Sequence, residues 1–439
     1  MFHVSPNEKY FFLYEKSLPH HSMYAITMRR ATDRSMKRTA LAIMEAMIVS
    51  RFTPKASDEA LVAGLRRAAP ADLPTPFVEI DEARLDRNMR AMQERVAAVG
   101  GSLFPHIKTH KSIALAQKQL AFGAGGVTAS KPDEAQVFVE SGVPSVILAY
   151  PIVRAESLDR LLPAVRARGT KLRVIAASET GIDALAVAAI RHAVEIGVFL
   201  KVDVGLGRVG VLPNDPAAVV LCQKIVSSKG LHFAGLLSHA GHSYRAATVE
   251  ERAEITHAEA DTLKGLAVAL TKRGIAVPCL SVGSTPTCVG APLPTGVTEF
   301  RPGNYVFLDG TALRLGICGP DELALSIVAR VVAASGDRFV IDAGSKSLSS
   351  DLGPHGTGGA GHGMVVTADE TGDDIWSVER LSEEHGFVSA EGRPLPIGMR
   401  VRVFPNHSCA VMAQFDRVTL RRSDDRSVAL RVDARGHQT

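Results

Sequence analysis

Between Leu73 and about residue 315 the chain alternates short apolar runs with helix-like stretches, and this alternation constrains the fold more than any other feature. The runs are Phe77–Ile80, Leu103–Ile107, Gly126–Ala129, Val146–Ala149, Leu172–Ala176, Val198–Val202, Phe233–Leu237 and Leu280–Val282. Each has strand length, and helical stretches sit between most of them. Short strands that are apolar on both faces and joined by helices form parallel sheets with helices covering them. Eight such strands predict a (β/α)8 barrel of the TIM type; an open doubly wound sheet is the alternative. The first helix shows the pattern well. Asp81 stands at its cap position, Leu85, Met89, Met92 and Val96 recur at helical spacing, and Gly100–Gly101 ends it.

Beyond residue 315 the texture changes. Leu325–Ala333, Arg338–Asp342, Met399–Phe404 and Ala410–Arg421 are rich in β-branched residues with little helix between them, and 352–363 is a Gly-rich loop. The expected fold class is therefore α/β, a barrel over 71–315, followed by a mostly-β domain over 316–439. Residues 1–70 read as an N-terminal appendage. Within them, 57–68 has the look of one short helix leading to Pro70.

Composition excludes several classes. Apolar residues make up 46% and charged residues 22% of the 439 positions, which rules out disorder over most of the chain. A net charge of +4 is too small to require a nucleic-acid partner. No apolar run approaches the ~20 residues of a membrane helix. Five cysteines in a chain this long do not form a disulfide scaffold. A reducing, cytoplasmic setting is expected.

Catalytic groups of a barrel gather at the C-terminal ends of its strands. The second run leads into Pro105-His106-Ile107-Lys108-Thr109-His110-Lys111-Ser112. A lysine at a barrel mouth can lose its charge by desolvation and act as a nucleophilic amine; the alternative is a solvated surface lysine. A late strand leads into Gly283-Ser284-Thr285-Pro286-Thr287, and Arg301-Pro302-Gly303-Asn304-Tyr305 follows. Small residues, hydroxyls and turn N–H groups there suit a phosphate shared by the last two barrel loops; a polar turn is the alternative. In the β domain, His407 and Cys409 would share one face of a strand and could converge on a zinc ion, or else be a buried thiol beside an exposed imidazole. Glu383-Glu384-His385-Gly386 reads either as an acid/base group or as a solvated turn.

Taken in order, PHIKTHKS, DVGLGRVG, HAGHSY, GSTPT, RPGNYVFLD, IDAGSKSLSSD, SEEHG and PNHSC resemble the D-serine dehydratase / D-threonine aldolase family. These are fold-type III pyridoxal phosphate (PLP) enzymes with an alanine racemase-like barrel. The resemblance spans roughly residues 73–425. It implies Lys108 as the cofactor-linked lysine, Arg208 near the cofactor phenolate oxygen and Tyr244 in contact with the cofactor. Thr285, Gly303 and Asn304 match positions around the phosphate, and His407 and Cys409 match the metal pair. In this family His-x-Cys accompanies zinc and dehydratases, whereas aldolases more often carry His-x-Asp with a harder ion such as Mn2+. One departure stands out: Leu237 occupies a place where dehydratase relatives tend to have tyrosine.

The resemblance implies a PLP- and metal-dependent lyase acting on a small D-β-hydroxy amino acid, by β-elimination to a keto acid and ammonia. A D-threonine or D-3-hydroxyaspartate aldolase, giving glycine and an aldehyde, is the second reading, and a non-catalytic PLP-binding homeostasis protein the third. A homodimer, with no nucleic-acid or membrane partner, is expected.

Overall fold

A computed structural model describes residues 59–66, 69, 73–354, 361–369, 374–390 and 392–439. The appendage lies almost entirely outside the described residues; its last part forms a helix over Glu59–Leu65.

Eight parallel strands form the barrel: β2 (Ser102–Leu103), β3 (Val127–Ala129), β4 (Ser145–Leu148), β5 (Lys171–Ala176), β6 (Ile196–Lys201), β7 (Leu231–Leu237), β8 (Leu280–Val282) and β9 (Glu299–Phe300). Their order runs β3 to β9 and then β2. Closure uses the segment after β2, where His106 bridges Thr128 in parallel and Thr128 N donates to Pro105 O at 2.8 Å. Strand alternation divides the side chains between two cores. Ile147, Ile175 and Phe199 point inward to meet Phe104, Ala234 and Leu237. Their neighbours Val146, Leu148, Val174, Val198 and Leu200 belong to the larger core that includes the surrounding helices.

The barrel has eight strands as anticipated, with one exchange of membership. Phe77–Ile80 lies within β1 (Phe77–Asp81), which pairs antiparallel with β10 (Leu325–Ser335) in the other sheet, and β9 takes the eighth barrel place. The reason is Glu79. A carboxylate in mid-strand needs a buried partner. Glu79 finds one in Arg402, 2.7 Å away, with each side chain about 1% exposed. Asp81 then caps the helix Glu82–Ala98, accepting from Arg84 N at 2.8 Å.

The second sheet adds β11 (Arg338–Ile341), β12 (Gly363–Thr367), β13 (Trp376–Leu381), β14 (Gly386–Ser389), β15 (Arg400–Pro405), β16 (Arg417–Arg421) and β17 (Ser427–Arg431). The circuit β10-β11-β14-β13-β12-β15 returns to β10, a closed antiparallel barrel, and β1, β16 and β17 extend it. Ala410–Arg421 is not a single strand: Ser408–Met412 is a short helix and only Arg417–Arg421 is extended. The Glu383–Gly386 segment is the turn between β13 and β14. Glu383, Glu384 and His385 are solvated there, and Glu384 pairs with Lys346 at 2.6 Å.

Candidate active site

β2 gives way to a single 3-10 turn, Ile107–Thr109, that carries Lys108 at the barrel mouth. Lys108 is open to solvent through that mouth although it is sunk deep among protein atoms. Burial lowers its pKa; the Cys409 thiol and Glu134 oppose this, and Arg208 and Lys111 add to it. The turn is braced by neutral imidazole chemistry. His110 Nδ1 accepts from Ser112 N at 3.1 Å, and its Nε2 lies 3.2 Å from Gln119 Oε1. Gln119 in turn donates to the Tyr305 hydroxyl at 2.9 Å. Burial lowers His110 to about 4, so it stays neutral.

Lys108 stands in a ring of basic groups. Burial, then the charges of Lys108, His239, Arg301 and Arg208, keep His106 well below its ordinary value. Burial, Lys108 and Lys201 do the same to His239, whose Nδ1 is 3.1 Å from Gly283 O. Lys201, at the end of β6, is brought to about 7 by burial and by Arg301. Arg301 is itself buried, bonded to the Ser281 hydroxyl at 2.5 Å and to the Ser238 carbonyl. Glu259 is the buried acid beneath this ring; its Oε1 accepts from Ser238 Oγ, Ala240 N and Gly283 N, tying the loops after β7 and β8 together. Such an excess of cations, with a buried His106 Nδ1 left unpartnered, fits an anionic cofactor.

The expected phosphate-end residues lie together. Ser284 caps the short helix Thr285–Val289 through a reciprocal capping box with Thr287. The Tyr244 hydroxyl bonds to Thr285, and burial raises its pKa. Gly303 has no spare volume: a Cβ there would come within 2.8 Å of Thr109 Oγ1 and 3.1 Å of His106 O. Asn304 Nδ2 donates to Asp309 Oδ2 at 2.6 Å, while its buried Oδ1 has no protein partner.

His407 and Cys409 do converge, though not by strand alternation. β15 ends at Pro405, His407 caps the helix Ser408–Met412, and Cys409 lies in that helix's first turn. The cap is pinned by Asp309 Oδ2, which accepts from Ser408 N at 3.1 Å, and by Leu308 O, which accepts from Ser408 Oγ at 3.0 Å. Burial would raise the Cys409 thiol, but His407 and the Thr109 hydroxyl, 3.3 Å away, bring it below its usual range. Burial would lower His407; the Cys409 thiolate and Asp351 outweigh it and push it up to about 11. Asp351 Oδ2 is 2.6 Å from His407 Nδ1, leaving Nε2 as the nitrogen able to ligate. Among the described residues no group of three or more His, Cys, Asp or Glu side chains is arranged around an ion. The thiolate–imidazole pair fits zinc, with the remaining positions left to water or substrate.

Residues 80–310 match the alanine racemase N-terminal domain, and residues 324–420 match the serine dehydratase domain. The chain belongs to the alanine racemase-like, fold-type III family of PLP enzymes. Within this family, D-threo-3-hydroxyaspartate dehydratase of Delftia sp. is 33% identical over 78% of this chain and 93% of its own length. D-threonine aldolase of Arthrobacter sp. is 31% identical over 77% and 86%, and D-serine dehydratase of Dictyostelium discoideum 28% over 78% and 92%. The Delftia enzyme's solved structure superposes with a TM-score of 0.76 at 31% identity, over 82% of this chain and 97% of that one. A cysteine-to-alanine variant of that enzyme is known in a metal-free form. The three relatives named here are two dehydratases and an aldolase.

Sequence reading missed His106, Lys201, Asp351 and Arg301 as members of this site. Arg301 and Asp351 sit inside the quoted motifs and could have been weighed. Lys201 had only its place at a strand end to mark it.

Proposed function

We propose that the protein is a PLP- and metal-dependent lyase of D-β-hydroxy amino acids, acting by β-elimination. The observation that carries this reading is the meeting of a lysine at the barrel mouth with a His-x-Cys pair from the β domain: Cys409 touches Thr109, the residue next to Lys108. Bound there, PLP would supply an electron sink for the Cα carbanion. Lys108 would hold the cofactor, Arg208 and Tyr244 would flank it, and Thr285, Gly303 and Asn304 would line its phosphate. A divalent ion on His407 and Cys409 would supply a Lewis acid for the β-hydroxyl. The Lys108 amine, its pKa lowered by burial, is suited to accept the Cα proton. The proton taken from Cα would pass to the departing β-hydroxyl, which would leave as water, and the released enamine would tautomerise to an imine that a second water hydrolyses to a keto acid and ammonia.

The dehydratase reading rests on the thiolate ligand and on the Delftia relative. The aldolase reading keeps support from the Arthrobacter relative, since both reactions use the same residues. A non-catalytic PLP-binding role would leave the His407–Cys409 pair without a task. A thiolate ligand also suits a reducing, cytoplasmic setting. We take the assembly to be a homodimer, which sedimentation at micromolar concentration would test.

The deciding experiment incubates the holoenzyme with D-serine, D-threonine and D-threo-3-hydroxyaspartate while assaying ammonia, keto acid, glycine and aldehyde together. Ammonia and keto acid in equal amounts support elimination. Glycine with an aldehyde would establish the aldolase instead.

A further inference from the structure

The turn bearing Lys108 is held by a part of the chain more than 300 residues away. Lys111 follows three positions later and is buried, at φ +51°, a backbone conformation that a non-glycine residue keeps only where its surroundings enforce it. Its amine donates to Glu134 Oε1 at 2.6 Å, and the other Glu134 oxygen accepts from Ser130 N at 2.5 Å. Lys111 O accepts from Ala434 N at 2.9 Å, and Lys111 Nζ lies 3.5 Å from Ala434 O. The helix Ile113–Ala121 begins just beyond. Its cap residue Ser112 makes no side-chain cap bond; Asp433 Oδ2 accepts from Ile113 N at 2.8 Å in its place. The same segment reaches the next helix, Pro132–Glu140. There Asp133 N donates to Thr439 O at 3.0 Å, and Thr439 Oγ1 donates to Asp133 Oδ2 at 2.5 Å. Residues 432–439 thus run from β17 across the starts of two barrel helices, and between those contacts lies the loop that follows Lys108.

Building on the reading of Lys108 as the cofactor-linked lysine, we propose that Lys111, Glu134 and Asp433 are positioning residues: the buried ion pair and the 432–439 strap fix the Ile107–Thr109 turn, presenting Lys108 to the cofactor and withholding Lys111 from it. The two lysines are chemically alike and three residues apart, so geometry has to choose between them. Lys111 is committed to a buried carboxylate, and freeing it would strand the Glu134 charge. Among the described residues Lys108 has no such ion pair. It faces Cys409, Arg208, Glu134, Lys111, His106 and His239, so the clamping pair brings one charge of each sign to bear on its amine.

The test uses PLP-loaded holoenzyme. Borohydride should fix the cofactor on the Lys108 peptide of the wild type, and the absorbance of the bound cofactor should titrate with one midpoint. Lys111→Met should raise that midpoint and Glu134→Gln should lower it, each by about half a pH unit, and the double variant should return towards wild type. Opposed shifts that cancel are an electrostatic signature that loosened packing does not produce. Asp433→Ala should leave the midpoint in place, hasten cofactor loss about tenfold and speed amide exchange over 107–121. If wild type is labelled at Lys108 but the single variants shift in one direction or not at all, or Asp433→Ala retains cofactor like wild type, the positioning proposal fails alone. If wild type carries no label at Lys108, the cofactor reading fails and this proposal falls with it.

Discussion

Among the described residues Lys201 forms no side-chain ion pair: its amine donates to Val202 O at 3.1 Å, and burial, then the charge of Arg301, makes its proton costly to keep. Its folded pKa of about 7 lies below the ordinary 10.5. Below pH 7 both states are protonated, and the folded state bears the full cost of burying the charge. Between about 7 and 10.5 the unfolded chain holds a proton that the folded chain has released, so this group's contribution to stability becomes less unfavourable as pH rises. Urea unfolding of cofactor-free protein at pH 7 and pH 9 should therefore show wild type gaining on Lys201→Met, by an amount on the order of 1–3 kcal/mol. Equal pH dependence in the two proteins would mean that Lys201 is solvated. The residue scale also marks the limit of what sequence reveals. Lys108, Thr285, Gly303, Asn304 and the His-x-Cys pair lie in local patterns that a reader can match. Lys201 closes a run of strand residues and differs from any strand-end lysine only in what surrounds it, and the charges around it come from the segment after β6, the helix Val249–Thr271 and Arg301 after β9.

At the scale of elements, strand placement turns on single polar residues. β1 and β2 both read as apolar strands followed by loop or helix, yet one joins the antiparallel sheet and the other the parallel barrel. The discriminating mark is Glu79, which Arg402 satisfies from β15, two strands away across β10, while also donating to Ser326 Oγ of β10 at 2.6 Å. Arg402→Met would leave the Glu79 carboxylate buried without its cation and should cost about 3–5 kcal/mol in chemical denaturation. Pairing that change with Glu79→Gln should recover a large part of the loss, because no charge then remains buried. A variant as stable as wild type would mean that β1 is held by Val78 and Ile80 alone. The membership of β9 was illegible for a different reason. It comprises only Glu299–Phe300, too short for periodicity to register, and its place is set by β8 and β2 on either side. The His407–Cys409 pair was legible as a pair but not in its geometry. A strand and a helix start both bring i and i+2 near one another, and the cap bonds from Asp309 and Leu308 that decide between them come from about 100 residues away.

At the scale of the whole molecule the two halves contribute different chemistry to one site. The barrel supplies Lys108 and the basic ring, the β domain supplies His407 and Cys409, and Thr109 is where they touch. This division makes the proposed metal and cofactor separable. The ring, Gly303 and the Asn304–Asp309 pair do not depend on an ion at His407, so chelation of the holoenzyme should abolish turnover while most of the bound-cofactor absorbance remains. Zinc should restore activity because imidazole and thiolate match its preferences. Metal affinity should fall both when a ligand is removed and when the partner of the other ligand is changed. Cys409→Ala removes a donor and also the partner of the Thr109 hydroxyl, so it should lower metal affinity by at least tenfold. Asp351→Asn should keep His407 in place while weakening the carboxylate's hold on its Nδ1–H, with a loss of about tenfold in metal affinity, the range seen when the outer partner of a ligating histidine is changed. Zinc titration of chelator-treated protein, followed by competition with a chromophoric chelator, measures both without relying on turnover. If Cys409→Ala binds zinc as wild type does and keeps its activity, the pair is structural, and the β-hydroxyl must be activated by a group on the barrel side, with His106 and His239 the first to examine.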